Sequence, residues 1–272
     1  MNKLKYTFLI FAVLLACNEQ YPNSPYADGT SGNNGKTIPT GKVKYFPDEA
    51  GSYWIYETFQ LDSNNGKISN SISYDSVIVE GELLKAGKKA KLFVTYTKQS
   101  GNYSKELERF YSIEDKKLYS IQSYLGIFLE GFPINIVNFS DEEWVKIVDP
   151  EDDLWRIYRL KFEDAGIPDM PFLQMSGKID ILASWEGTKT FNIKGKSVIA
   201  NEYLMTFELD ADIDIPLVGK LNISVDRDLY QYYADDIGLI QSVLSSSEVS
   251  FPLLGGVSLP GFESTIIRYN AE

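Results

Sequence analysis

The sequence predicts an all-β fold, an antiparallel and strongly curved meander that forms a half-barrel or barrel-like sheet. Three observations predict it. Alternating runs rich in β-branched and aromatic residues recur from Tyr53 to Asn270. Short turns of Gly, Asn, Asp or Lys separate them, such as Asn64-Asn65-Gly66 and Glu114-Asp115-Lys116-Lys117. No ten-residue helical pattern recurs between the runs, which disfavours a parallel α/β sheet.

In chain order, Tyr53–Leu61 is aromatic-rich, Ser73–Glu80 carries Val-Ile-Val, and Lys91–Lys98 alternates around Phe93 and Tyr96. Glu106–Ser112 and Lys117–Ser123 flank the second of those turns as a hairpin. Trp155–Glu163 and Lys178–Glu186 alternate apolar with charged residues. Tyr203–Ile215, Lys220–Tyr233, Leu239–Phe251 and Ser264–Asn270 complete the set. Ser140-Asp141-Glu142-Glu143-Trp144 has the form of a capping box, so one short helix is predicted near 141–147. The sequence also shows a weak internal repeat, with half-repeats at about 51–124 and 184–247. Each half has a Trp, a strand ending in x-Gly, a long strand, and a Tyr-containing hairpin closing on Ile-Gln-Ser. Divergent duplication and the general likeness of twisted hairpins both account for it.

Composition narrows the chemistry. The formal net charge is −12 and the pI about 4.6, which argues against a nucleic-acid partner because phosphates need a basic face. Among the 272 residues there is no histidine, which removes the commonest general base and every His-ligated metal site. A single cysteine removes disulfide frameworks and thiolate zinc sites. No P-loop, nucleophile elbow or dinucleotide fingerprint occurs, and no cofactor is expected.

The chain opens with Lys3 and Lys5, then nine apolar residues from Phe8 to Ala16, then Cys17. A positive start and a short apolar run read as a secretory signal, too short to span a bilayer. Leu14-Leu15-Ala16-Cys17 resembles the lipobox of bacterial lipoproteins. That resemblance implies a signal peptide over 1–16 and lipidation of Cys17, with the membrane as a partner through the anchor. Several acyl chains on one residue make a stable anchor where a single chain does not. Asn18 follows, and by the same resemblance it does not suggest inner-membrane retention. The expected location is the cell envelope, at the outer membrane on its periplasmic face or at the cell surface. Removing 1–16 would take away two lysines and no acids, so the anchor rather than a basic patch must do the holding. Residues 17–42 then read as the lipidated Cys and a flexible tether rich in Asn, Gly, Pro, Ser and Thr. Its reach is roughly 25–30 Å. Residues 43–272 read as a single all-β domain, a size within range for one barrel or sandwich.

Tyr45-Phe46-Pro47, Gly51, Trp54 and Tyr56 fit the pattern Y-F-P-x(3)-G-x-x-W-x-Y. This resembles the opening of Bacteroidota-type envelope lipoproteins, and the resemblance implies no activity. The meander ending in Tyr233-Ala234-x-x-Ile237-Gly238-Leu239-Ile240 is loosely similar to half-barrel periplasmic proteins of the LolA/LolB kind. Those proteins enclose a hydrophobic cavity for acyl chains, which is a likeness of fold only.

Three groups of residues invite a chemical reading. Glu208, Asp210, Asp212 and Asp214 alternate along one strand and share one face. Asp210, Asp212 and Asp214 would suit a hard cation, yet Ile215 and Leu221 stand where an EF-hand needs Gly and Glu, and a solvated face explains them equally. Asp149, Glu151, Asp152 and Asp153 beside Trp144 and Trp155 would suit a carboxylate-based glycoside hydrolase, or simply a loop. The turns 128–133, 170–173, 216–219 and 251–256 are apolar, against the usual rule. Leu217, Val218, Leu253 and Leu254 either rim the mouth of a hydrophobic cavity or fold inward as a plug.

The sequence therefore supports a non-enzymatic, lipid-anchored envelope lipoprotein binding an acyl chain, lipid or lipoprotein in a β-sheet cavity. A surface or periplasmic interaction module for glycans or envelope proteins is the alternative, because 18 Tyr and 15 Phe fill a core or present platforms equally well. A carboxylate-based hydrolase is the third reading.

Overall fold

The computed structural model describes residues 45–47, 49–99, 102–132, 137–167, 170–215, 217, 219–251 and 255–270. Its first five strands are β1 (Tyr53–Leu61), β2 (Ser73–Lys85), β3 (Lys88–Gln99), β4 (Asn102–Glu114) and β5 (Lys117–Ile121), followed by a short 3₁₀ helix, Gln122–Leu129. Then come β6 (Trp144–Val148), β7 (Leu154–Ile167), β8 (Met170–Ile193), β9 (Lys196–Ile215), β10 (Gly219–Ala234) and β11 (Gly238–Leu244). The chain ends with β12 (Ser247–Phe251), β13 (Gly255–Leu259) and β14 (Gly261–Asn270). Twelve strands form one antiparallel sheet in the order β6-β5-β4-β3-β2-β1-β14-β11-β10-β9-β8-β7, while β12 and β13 form a separate hairpin. The edges β6 and β7 approach one another, so the sheet is a barrel closed but for one seam.

Local chemistry sets the turns and the curvature. Ala86-Gly87, Asp115-Lys116 and Lys194-Gly195 each have positive φ at both residues, the type I′ geometry that matches strand twist. Gly81 and Gly187, at φ of 146° and 126°, sit at the register shifts of the β2–β3 and β8–β9 pairs. A bulge there bends a long strand around the barrel, and only glycine adopts such a φ freely.

Period two then sorts the side chains. On β9, Tyr203, Met205, Phe207, Leu209, Ala211, Ile213 and Ile215 face inward and are buried, while Glu208, Asp210 and Asp214 are exposed. The expected acidic face is the outer wall of the barrel. Residues 45–47 close one end: Tyr45 and Phe46 are buried, and the Tyr45 hydroxyl donates to the Lys116 carbonyl at 2.6 Å. Trp54 Nε1 donates to Ile237 O at 2.5 Å and the Tyr56 hydroxyl to Leu239 O at 2.7 Å, tying β1 to the β10–β11 turn.

One expectation is corrected. Residues 144–148 form strand β6, not a helix, and the short helix lies earlier at Gln122–Leu129. Ser140 does accept a bond from the Glu142 N–H at 3.1 Å, but the Glu143 carboxylate takes the Gln122 amide at 3.0 Å instead of reaching back. Val145 and Ile147 are buried in alternation, which is strand periodicity. The expected run Leu239–Phe251 also divides, because the chain leaves the main sheet after β11 to form β12.

The helix lies inside the barrel. Phe128 is fully buried and stacks on Phe207 at 5.5 Å, and the Tyr124 hydroxyl accepts from Gln231 Nε2 at 2.7 Å. Arg227 on β10, 1% exposed, donates to the carbonyls of Phe128, Glu130, Ser245 and Pro260 at 2.9, 3.2, 3.2 and 2.6 Å. It pins the helix C-terminus and both ends of the β12–β13 excursion to one strand. Burial lowers its pKa to about 10, so the guanidinium stays charged at neutral pH. Arg227→Met keeps the stem and strands four carbonyls; it is expected to lower stability by about 3–5 kcal/mol in urea unfolding. Arg227→Lys is expected to recover little, since an ammonium lacks the fork that spans these acceptors.

Candidate functional site

The half of the barrel built from β1–β4 and β14 encloses a cavity of about 510 Å³. Its floor is aromatic. Phe93 meets Phe46 edge-on at 4.7 Å, stacks on Trp54 at 5.6 Å and meets Tyr111 edge-on at 5.1 Å. Burial of these rings, together with Tyr56, Val77, Tyr233 and Leu239, makes the lower wall apolar. Above them the wall turns polar, with Thr58, Ser73, Asp75, Thr95, Thr97 and Ser264 pointing inward. Asp75 accepts from Thr58 at 3.2 Å and from Thr97 at 2.6 Å, and Thr58 also bonds Ser264 at 2.9 Å. Gln60, Glu106, Leu107 and Glu130 line the cavity and are also exposed, so they mark its mouth.

Among the described residues one cation lines this space. Arg109 on β4 sits opposite Phe93, level with the aromatic floor, and its guanidinium lies 5.3 Å from the Tyr124 ring centroid. Burial raises the phenols of Tyr56, Tyr124 and Tyr233 well above their usual range, so all three stay neutral around it.

Of the residues expected to act on sequence grounds, the described ones are not in the lining of this cavity. Leu217 is fully exposed at the β9–β10 turn and is not part of the cavity wall. Val218, Leu253 and Leu254 fall outside the described residues. Two of the apolar turns each contribute a residue to the core: Phe128 belongs to the buried helix and Leu173 is buried near the start of β8. In the acidic stripe, Asn222 on β10 donates its amide to Asp210 at 3.1 Å and to Asp212 at 3.3 Å. Lys161 and Lys178 stand beside that pair, and no group of three acids that could hold a metal converges among the described residues. The pair lies on the outer wall, bridged by the Asn222 amide.

The acidic loop beside two tryptophans is held by ion pairs and backbone bonds. Asp149 is fully buried and ion-paired with Lys146 and with Lys117 at 3.3 Å, while its other oxygen accepts the Glu151 N–H at 3.0 Å. Trp155 Nε1 donates to Lys146 O at 3.2 Å, and Trp144 Nε1 to Lys85 O at 3.2 Å, so both rings are tied to backbone. Burial opposes ionisation of Asp149, yet Lys146, the Glu151 N–H and Lys117 hold it below the usual carboxylate range. A general acid needs the opposite shift. Among the described residues, the one aromatic side chain counted with the large exposed apolar groups is Tyr74.

No family model and no curated protein matches the chain. Among solved structures it is similar to a candidate lipoprotein of Parabacteroides distasonis, with 10% identity and a TM-score of 0.45 over 84% of this chain and 99% of the other. It is also similar to a candidate exported protein with a YmcC-like fold from Bacteroides fragilis, with 11% identity and a TM-score of 0.39 over the same shares.

Asp149 gives a pH prediction. A carboxyl held below its unfolded value contributes stability that is present above about pH 3.9 and lost as pH falls through the lower folded value. Asp149→Asn is expected to cost about 2 kcal/mol at pH 7. Thermal unfolding at pH 7 and pH 3 is expected to show the gap to the unsubstituted protein narrowing at the lower pH.

Proposed function

We propose that this chain is a lipid-anchored cell-envelope protein, without catalytic function, that binds a hydrophobic ligand inside its barrel. The observation that carries the binding reading is the aromatic-floored cavity of about 510 Å³, within the range of small-molecule sites. Its aromatic floor, left wet, forgoes the burial that an apolar ligand would supply. Among the described aromatic side chains only Tyr74 is exposed, the rest being buried or half-buried, which favours this reading over exposed platforms for glycans. The absence of histidine from the sequence and the ion-paired state of Asp149 weigh against a hydrolase.

The anchor rests on Leu14-Leu15-Ala16-Cys17 and on Cys17 being the single cysteine of the chain. An anchored barrel would meet its ligand at the membrane surface, with the outer membrane as the expected site. Cys17→Ser is expected to abolish incorporation of radiolabelled palmitate in bacteria and to move the protein out of the membrane fraction. Retention of both label and membrane fraction in the variant would rule out this anchor.

The cavity is tested with the full chain in lipid nanodiscs and a diazirine-bearing decyl alcohol. Irradiation is expected to label peptides from β1, β3 and β4. Thr95→Trp, which fills the cavity from β3, is expected to reduce that labelling at least tenfold with an unchanged circular dichroism spectrum. Equal labelling of the two proteins would overturn an internal site.

A further inference from the structure

We propose that the cavity selects hydrophobic anions, carboxylates foremost, and that Arg109 receives the anionic group. This rests on the binding reading given above and names the ligand class. Arg156, Arg159 and Arg227 show how this fold satisfies an arginine. Arg156 and Arg159 both close on the Asp180 carboxylate, and Arg227 takes four carbonyls. Arg109 has neither solution: among the described residues no carboxylate lies within ion-pair distance of it.

Its surroundings are aromatic and neutral. One face of the guanidinium lies over Tyr124, and burial holds Tyr56, Tyr124 and Tyr233 protonated around it. Cation–π contact recovers about 2 kcal/mol when desolvated, well short of the cost of burying an unpaired charge. Stacking engages the face and leaves N–H groups at the planar edge, the geometry that takes a carboxylate with two parallel bonds. Arg109 retains accessible surface although chain surrounds it, and that surface is cavity wall. The acids that line the same cavity lie toward the other end, with Glu106 and Glu130 exposed at the mouth and Asp75 held by Thr58 and Thr97.

The register gives the ligand its direction. Arg109 is paired with Phe93, so the anionic group enters first and its apolar neighbours lie against Phe46, Trp54 and Phe93. The hydroxyl-lined neck above disfavours a long bare chain and suits a compact body, an aryl or short acyl carboxylate.

The test is competition against the neutral diazirine probe, using the full chain in nanodiscs. Octanoate is expected to displace the probe at a concentration at least tenfold below that of octanol, and octyltrimethylammonium to be the weakest. Arg109→Met is expected to erase the octanoate advantage, to leave octanol unchanged, and to unfold no earlier than the unsubstituted protein when no ligand is present. Arg109→Lys keeps the charge without the fork and is expected to retain a smaller advantage, which preserves the test if the Met variant folds poorly. Octanoate and octanol displacing within twofold of each other, a preference for the cation, or an advantage that survives Arg109→Met would each overturn the anion assignment while leaving the cavity a binding site. Failure of the neutral probe to label cavity peptides at all would overturn the binding reading and this one with it.

Discussion

A twelve-stranded barrel is too wide for its own side chains to fill. About eight strands give an interior that side chains just occupy, and 16–18 leave an aqueous channel. At twelve strands this sheet lies between those limits, so the chain itself must supply filling. The 3₁₀ helix Gln122–Leu129 crosses the interior, and residues 45–47 close one end. Everything inside depends on that inserted helix staying in place. Arg227 is the tie: it engages carbonyls from the helix terminus, from the residue after it, and from the loops on either side of the β12–β13 hairpin. Elements far apart in sequence thus converge on one buried guanidinium. What they fail to fill is the cavity.

The strands were legible because the outer wall obeys the simple rule of polar residues outward. On β9 every second residue from Glu208 to Asp214 is a carboxylate, and the alternate set is buried. The helix was not legible. Gln122–Leu129 has no side-chain cap and no acid in its first turn, and its apolar sequence reads equally as strand or turn. Ser140–Glu143 carried the cap signal instead, but its polar groups serve Gln122, through the Ser140 N–H at 2.6 Å and the Glu143 carboxylate. A capping box states which bonds a backbone needs; it does not say which neighbour supplies them. Tertiary contact decided the matter here.

The cavity was hidden for a related reason. Its wall inverts the rule used to read the strands: Thr58, Ser73, Asp75, Thr95 and Thr97 point inward, and Phe59, Tyr74 and Tyr96 alternate with them on the other face. Period two fixes which residues share a face but not which face lies inside, and mixed polarity on both faces removes the usual tie-breaker. Arg109 shows the same limit. A charged residue in an alternating strand reads as solvated, and only the register opposite Phe93 places it at the aromatic floor. The apolar turns divide: Phe128 and Leu173 are buried, while Leu217 is fully exposed.

The two halves of the barrel divide the labour. β1–β6 and β7–β11 with β14 each form a six-stranded antiparallel run, each with a bulge glycine, Gly81 or Gly187, and a type I′ turn, at Ala86-Gly87 or Lys194-Gly195. Their interiors differ. In the second half Ile179, Ile181, Met205, Phe207 and Leu209 are buried in the core, with Phe207 stacked on Phe128 of the helix. Toward the first half, small hydroxyl-bearing residues, joined by Ser242 and Ser264 from the second, leave the space that Arg109 faces. A shared strand plan therefore carries two energetic roles. The filled half supplies the burial that keeps the barrel folded, at about 25 cal/mol for each Å² of apolar surface removed from water. That surplus lets the other half hold an open cavity and an arginine without an internal counter-ion. A polar, hollow half could not close on its own, and a uniformly filled barrel would have nowhere to receive a ligand.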